Sequence, residues 1–412
     1  MAGPRLAYLD GLRGVAALIV VFSHYVLAFQ PALYMGTLEG PPSLAVAPAV
    51  ARTPLLVACS PQFGVAIFFV LSGIVLAASV SRKPASFTEL AVRRWVRLSG
   101  PIALTTLPIW LWLATGWHPD TALAKENHSQ WLAMNFTWVA WQANDLPLAL
   151  FQALVDVYAR GHHWWNTALW TIRVELWGSL VLFAAYLAMA RWQARRRWRV
   201  ALAVAAAALS WRSDYAGFAI GAALFELHPG LFARIAARPL LAWGCGVPLL
   251  AAALLLGGAP YYVTSWTPYV GAATWLARGT PDPILFMHRA GAALLVTVVL
   301  FWQPLQALLT TRLIAFLGRV SFMVYLCHVS LICTVASFLV LHLSPRVGYN
   351  AASALALPIL LAVLMATASI ATRWIDRPCI MLAYRLGRLA SGWRRPLRGL
   401  WRAACRVRPT AD

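Results

Sequence analysis

Long apolar runs broken by short polar and arginine-rich turns set the pattern of this chain. Runs at residues 12–29, 62–81, 98–117, 165–190, 240–256, 286–309, 313–341 and 351–373 approach or exceed the roughly 20 residues that carry a helix across a bilayer. Two shorter runs, 200–211 and 215–227, flank a turn with Arg212 and Asp214 and complete ten expected crossings. The pattern predicts an all-α, polytopic integral membrane protein of about ten transmembrane helices, with no soluble catalytic domain. Residues 1–378 form its transmembrane domain and residues 379–412 a basic tail. Between residues 118 and 164 two aromatic stretches are too short and polar to span, which predicts re-entrant or interfacial segments. Residues 257–282, rich in Pro, Tyr and Trp, predict another interfacial element.

Composition agrees, with 61% hydrophobic and 11% charged residues where soluble proteins carry about 25% charged. The net charge of +21 suggests nucleic acid until its distribution is read. Arg191, Arg195, Arg196, Arg197 and Arg199 cluster between two apolar runs, and residues 373–408 are basic throughout. Both clusters follow the positive-inside rule and put both termini in the cytoplasm. The bilayer, with its anionic headgroups, is then the partner of this charge, and no nucleic acid is expected. Six scattered cysteines lack any metal-ligand spacing, so neither a zinc site nor a disulfide framework is expected. The first run lacks a small-residue cleavage site and reads as a retained span.

Ionisable residues inside the runs are the candidates for chemistry, because burying them in a membrane is costly. Arg13 and His24 are eleven residues apart, almost three helical turns, so they share a face and lie roughly 16 Å apart along the axis. Asp10 is placed to pair with Arg13 at i, i+3. Arg94 and Arg97 also share a face and form a fork for phosphates or a carboxylate, although simple anchoring explains them too. Glu175 falls near mid-span and needs a partner, in a catalytic role or as an interhelical tie. Ser321, Tyr325 and His328 make a polar stripe, either hydrogen-bonded between helices or catalytic. His162 and His163, beside Trp164 and Trp165, suggest an acceptor platform or an interfacial anchor. An imidazole at the end of a passage lined by guanidiniums suits a general base acting on a hydroxyl.

In order along the chain stand Leu9-Asp-Gly-Leu-Arg-Gly14 with His24, Phe69-Val-Leu-Ser72-Gly73, Arg94-x-x-Arg97, Leu169-Trp-Thr to Glu175, Gly318-Arg-Val-Ser321 to His328, and Trp374-Ile-Asp-Arg-Pro378. With these motifs the chain resembles the acyltransferase-3 family of integral membrane acyltransferases, which includes bacterial polysaccharide O-acetyltransferases and macrolide acylases. The resemblance implies an O-acyltransferase of the bacterial inner membrane, with acyl-CoA, most simply acetyl-CoA, as donor co-substrate and no metal. It implies a saccharide or small-molecule acceptor hydroxyl at the far side of the membrane. It makes His24, Arg13 and Glu175 the catalytic candidates, with Glu175 expected to support the His24 imidazolium. Arg94, Arg97 and Arg13 become the donor-binding candidates, and Asp10, Ser72, Tyr325 and His328 accompany them. The sequence departs from the family's pattern at Arg173 and Leu176-Trp-Gly178 around Glu175, and at Cys327 before His328. A proton-coupled transporter is the alternative for buried His and Glu residues.

Overall fold

The computed structural model describes residues 7–35, 42–82, 85–136, 145–260, 271–272, 275 and 282–392. Among the described residues every regular element is a helix, and nine helices are long and apolar enough to cross a membrane. The bundle starts from α1 (Ala7–Phe29), α2 (Pro61–Arg82) and α3 (Phe87–Ala114). After a short α4 (Pro119–Asn127) and α5 (Leu146–Ala159) come α6 (Trp170–Arg191), α7 (Arg196–Leu209) and α8 (Tyr215–Leu227). The chain continues through α9 (Pro239–Gly257), α10 (Pro283–Phe301), α11 (Arg312–Val347), α12 (Tyr349–Ala371) and α13 (Arg377–Gly392).

Glycine decides the central contact. A Cβ on Gly14 would come within 2.5 Å of the Gly318 nitrogen, and one on Gly318 would collide with the Asp10 carbonyl oxygen. Only bare backbones fit there, the close approach that small residues permit between membrane helices. Ten residues further along each helix, His24 meets His328. Equal advance on both helices from one contact to the next means that α1 and α11 run parallel. A second close approach, Gly221 of α8 against Val70 and Gly73 of α2, fixes the next layer.

The expected fifth crossing, 200–211, falls mostly on α7, whose 14 residues extend only about 21 Å. That is short of the roughly 30 Å hydrocarbon core. Arg196, Arg197 and Arg199 occupy its first turn, and none of its side chains is buried. It is held by polar contacts instead: Arg199 Nη2 donates to Glu226 Oε2 at 3.1 Å, and Arg196 donates to the Glu226 carbonyl. Tyr186 also donates to Glu226, at 3.1 Å.

The second aromatic stretch of residues 118–164 becomes α5. Trp95 Nε1 donates to the Leu154 carbonyl and Ser99 to the Tyr158 hydroxyl, which lays α5 parallel to α3 at the level of Arg94. The chain then returns to Thr167, whose hydroxyl donates to Asn135. This stretch is therefore re-entrant. The expected tail boundary at 379 lies inside α13, which packs on α3 through Cys379 against Gly100 and Gly387 against Arg93. Residues 393–412 and most of the interfacial element expected at 257–282 lie outside the described residues.

Candidate active site

Two polar groups lie along α1, one at each of its sequence-marked positions. At the first, His24 Nδ1 is 2.8 Å from His328 Nε2, and the two rings are within 12° of a common plane. His328 Nδ1 lies 2.7 Å from the carbonyl oxygen of Tyr325. A carbonyl only accepts, so His328 carries its proton on Nδ1 and offers the lone pair of Nε2. His24 must then donate from Nδ1, which leaves its own Nε2 as a lone pair. Among the described residues that Nε2 has no hydrogen-bond partner. His328 is fully buried, whereas His24 is only partly so. Trp131 stacks on the His24 ring with centroids 5.6 Å apart and planes inclined by 24°.

The backing of this pair is ordered. Tyr325 OH donates to the Ala168 carbonyl at 2.7 Å and lies 2.8 Å from Thr171 Oγ1, tying α11 to the start of α6. Asn166 Nδ2 donates to the Leu326 carbonyl at 2.8 Å. Among the described residues Ser321 bonds only its own helix, at the Gly318 carbonyl. Residues 332–336, directly after this turn of α11, form a π-turn, a local widening frequent beside functional sites.

The second group is cationic. Arg13 pairs with Asp10 at 3.0 Å, as the i, i+3 spacing predicts. Arg94 forms an ion pair with Glu175, and Ser72 donates to the same carboxylate oxygen at 2.6 Å, so α2, α3 and α6 meet at one carboxylate. Arg97 is exposed and makes no hydrogen bond or salt bridge to a described residue. Arg94, Arg97 and Glu175 are each within electrostatic reach of Arg13. Asp376 lies within reach of Arg13 and Arg97, and its Oδ1 is buried without a partner among the described residues.

Glu175 therefore faces Arg94 and Ser72 instead of His24. The reason is helical advance. On α6, Thr171 is level with Tyr325, and Glu175 lies four residues from it toward the arginines. His328 lies three residues from Tyr325 the other way, leaving an axial gap of about 10 Å. His162 and His163 also stay away from His24. His162 Nδ1 bonds Asp156 at 2.7 Å and stacks on Trp164. His163 Nδ1 donates to the Gly161 carbonyl. Trp131 and Thr171 were not visible as site residues, because their partners are distant in sequence and no periodicity links them.

One carboxylate near the His24 end is unused. Asp120 of α4 is fully buried, and among the described residues neither oxygen makes a hydrogen bond of good geometry. Burial pushes its carboxyl up to about 6. His118 Nδ1 is 4.0 Å away, and Cys333 lies within electrostatic reach.

Comparison with known proteins supplies the remaining constraint. The family described as an acyltransferase domain, of the acyltransferase-3 type, matches residues 6–374. The O-acetyltransferase PaAT-1 of Phomopsis amygdali is 29% identical, over 78% of this chain and 71% of the relative. No solved structure matches the chain.

Proposed function

The chain belongs to the acyltransferase-3 family and is a multi-pass membrane acyltransferase, and we propose that it transfers an acetyl group from acetyl-CoA to a hydroxyl of a cell-envelope saccharide or similar small acceptor. The observation that carries this reading is the unpartnered His24 Nε2, left as a lone pair by the hydrogen-bond chain from Tyr325 through His328. The relative's name, O-acetyltransferase, supports acetyl and oxygen as the transferred group and the accepting atom.

In this mechanism His24 Nε2 takes the acceptor's hydroxyl proton as the oxygen attacks the thioester carbonyl. The tetrahedral intermediate collapses to the ester and expels the CoA thiolate, which receives the proton from the His24 imidazolium. Meanwhile His328 Nε2 accepts a charge-assisted hydrogen bond from Nδ1–H of that imidazolium, a role often filled by a carboxylate. Trp131 offers an aromatic face beside the base for a sugar or another flat acceptor surface.

Arg97, with no salt bridge of its own, binds the donor's phosphates together with Arg13. Arg94 is committed to Glu175, whose carboxylate also accepts from Ser72, and acts as a positioning residue for that end of the passage. The roughly 16 Å between Arg13 and His24 along α1 suits an extended pantetheine arm better than a compact donor. Both termini and the arginines face the cytoplasm of a bacterial inner membrane in this proposal, following the positive-inside rule.

The test is mass spectrometry of envelope glycans and secreted metabolites from cells with and without the protein, fed isotope-labelled acetate. An ester of acetyl mass that depends on the protein supports the proposal. An unchanged ester profile, with labelled acetyl-CoA left unconsumed by the purified protein in liposomes offered those glycans, contradicts it.

A further inference from the structure

The short hairpin of α7 and α8 leaves a small, mostly apolar pocket with one ion pair in its lining, and its lining residues are all distinct from those of the site above. Its walls are Ala66 and Phe69 of α2, and its floor is the Arg289–Asp214 ion pair. Arg289 Nη2 donates to Asp214 at 2.8 Å, while Nη1 reaches the Trp211 carbonyl only at 3.3 Å and Nε has no partner among the described residues. Beside the pair, Arg212 is exposed, its guanidinium 5.1 Å from the Trp211 ring.

The depth of this floor is unusual. Arg289 lies six residues inside α10, and Ala66 and Phe69 lie five and eight residues inside α2. At 1.5 Å per residue, the hairpin turn therefore sits about 8–12 Å below the starts of both neighbours. Above it, α2 and α10 are apolar except for Gln62 and His288. Among the described residues, Arg212, Arg289 and Asp214 together carry one net positive charge at this turn, with Asp282 above them at the start of α10.

A charge at this depth stays favourable when a headgroup comes down to it, and a short hydrophobic element draws the bilayer thinner around itself. Basic pockets between membrane helices bind phospholipid headgroups by the same physics. The geometry points to a binding site for one anionic phospholipid, whose phosphate accepts hydrogen bonds from Arg212 and Arg289. Its chains lie on the exposed apolar flank of α7, where Leu202 and Leu209 are 54% and 88% exposed. Asp214 competes with that phosphate for Arg289.

Native mass spectrometry of the purified protein, titrated with phosphatidylglycerol and separately with phosphatidylcholine of the same chains, tests the assignment. The wild type retains one phosphatidylglycerol in preference to phosphatidylcholine. Arg212→Gln, at an exposed position that leaves the fold intact, and Arg289→Gln each weaken this retention about tenfold, whereas Arg346→Gln, an equal charge loss on α11, leaves it unchanged. Asp214→Asn strengthens retention, because it removes the competitor. Equal retention of the two lipids by the wild type, unchanged retention in Arg212→Gln, or loss of the lipid in Asp214→Asn would overturn the site and leave the ion pair as a strut only.

Discussion

His24 and His328 sit on two parallel helices, ten residues beyond the point where Gly14 and Gly318 touch, and share a 2.8 Å hydrogen bond in nearly one plane. The glycine contact sets the height and spacing of the helices, so it also sets the hydrogen bond between the imidazoles. Gly14→Val would drive a side chain into the Gly318 backbone, and about 2 kcal/mol or more of stability should be lost by the overpacking. Helices pushed apart also break the imidazole pair. Thermal unfolding in detergent and acyl transfer should therefore fall together in Gly14→Val, while Gly244→Val, where a Cβ meets nothing within 4 Å, should change neither.

His328 fixes the tautomer of His24 without touching the acceptor in this mechanism. His328→Phe keeps a ring in place but removes the acceptor for Nδ1–H, so kcat should fall by about 10²–10⁴-fold, the usual scale of general-base assistance. The acyl-CoA KM should stay within about threefold if chemistry limits turnover. His328→Gln, with an oxygen able to accept from His24, should recover part of the rate. Steady-state kinetics of the three proteins separates this from a merely structural role, in which both variants would lose stability and rate alike.

The two arginines of Arg94-x-x-Arg97 should behave differently. Arg97→Ala removes a guanidinium free to bind phosphate and should raise the acyl-CoA KM by about 10–100-fold, the worth of a hydrogen bond to a charged group. Arg94→Ala instead strands Glu175, a cost of about 3–5 kcal/mol for a broken buried pair. Glu175→Gln in the Arg94→Ala background should restore part of the lost melting temperature. Calorimetric donor binding and thermal melts of the same variants check both halves.

Asp120 supplies a pH-dependent term. Its folded-state carboxyl, raised to about 6 from 3.8, binds a proton that the unfolded chain releases. Stability from this group therefore falls as pH rises from about 4 to 6 and stays low above, by about 3 kcal/mol in all. Melting temperatures of wild type and Asp120→Asn, compared between pH 4 and 7, should diverge with that slope. The slope should persist in His118→Gln, because the neighbouring imidazole is not its source.

The sequence made the vertical order of the site legible. Periodicity alone placed Arg13 and His24 on one face, put Asp10 within reach of Arg13, and aligned Tyr325 with His328. Contacts across the bundle were not legible. Glu175 pairs with Arg94 across 81 positions of chain, and spacing cannot say which helix stands beside which. The stack of Trp131 on His24 also depends on how a short interhelical segment folds back. The short α7 stood out less clearly, because its alanine-rich run is apolar enough for a span but its length is set by the arginines at one end and the Arg212 turn at the other.

In the proposed mechanism the lone pair on His24 Nε2 accepts the acceptor's proton. Single-turnover transfer of a labelled acetyl group from acetyl-CoA by the purified protein in liposomes, with the identified acceptor, measures this directly in wild type and His24→Ala. His24→Ala should bind the donor as the wild type does and lose at least about 10²-fold in the transfer rate. Transfer at the wild-type rate by His24→Ala would contradict it.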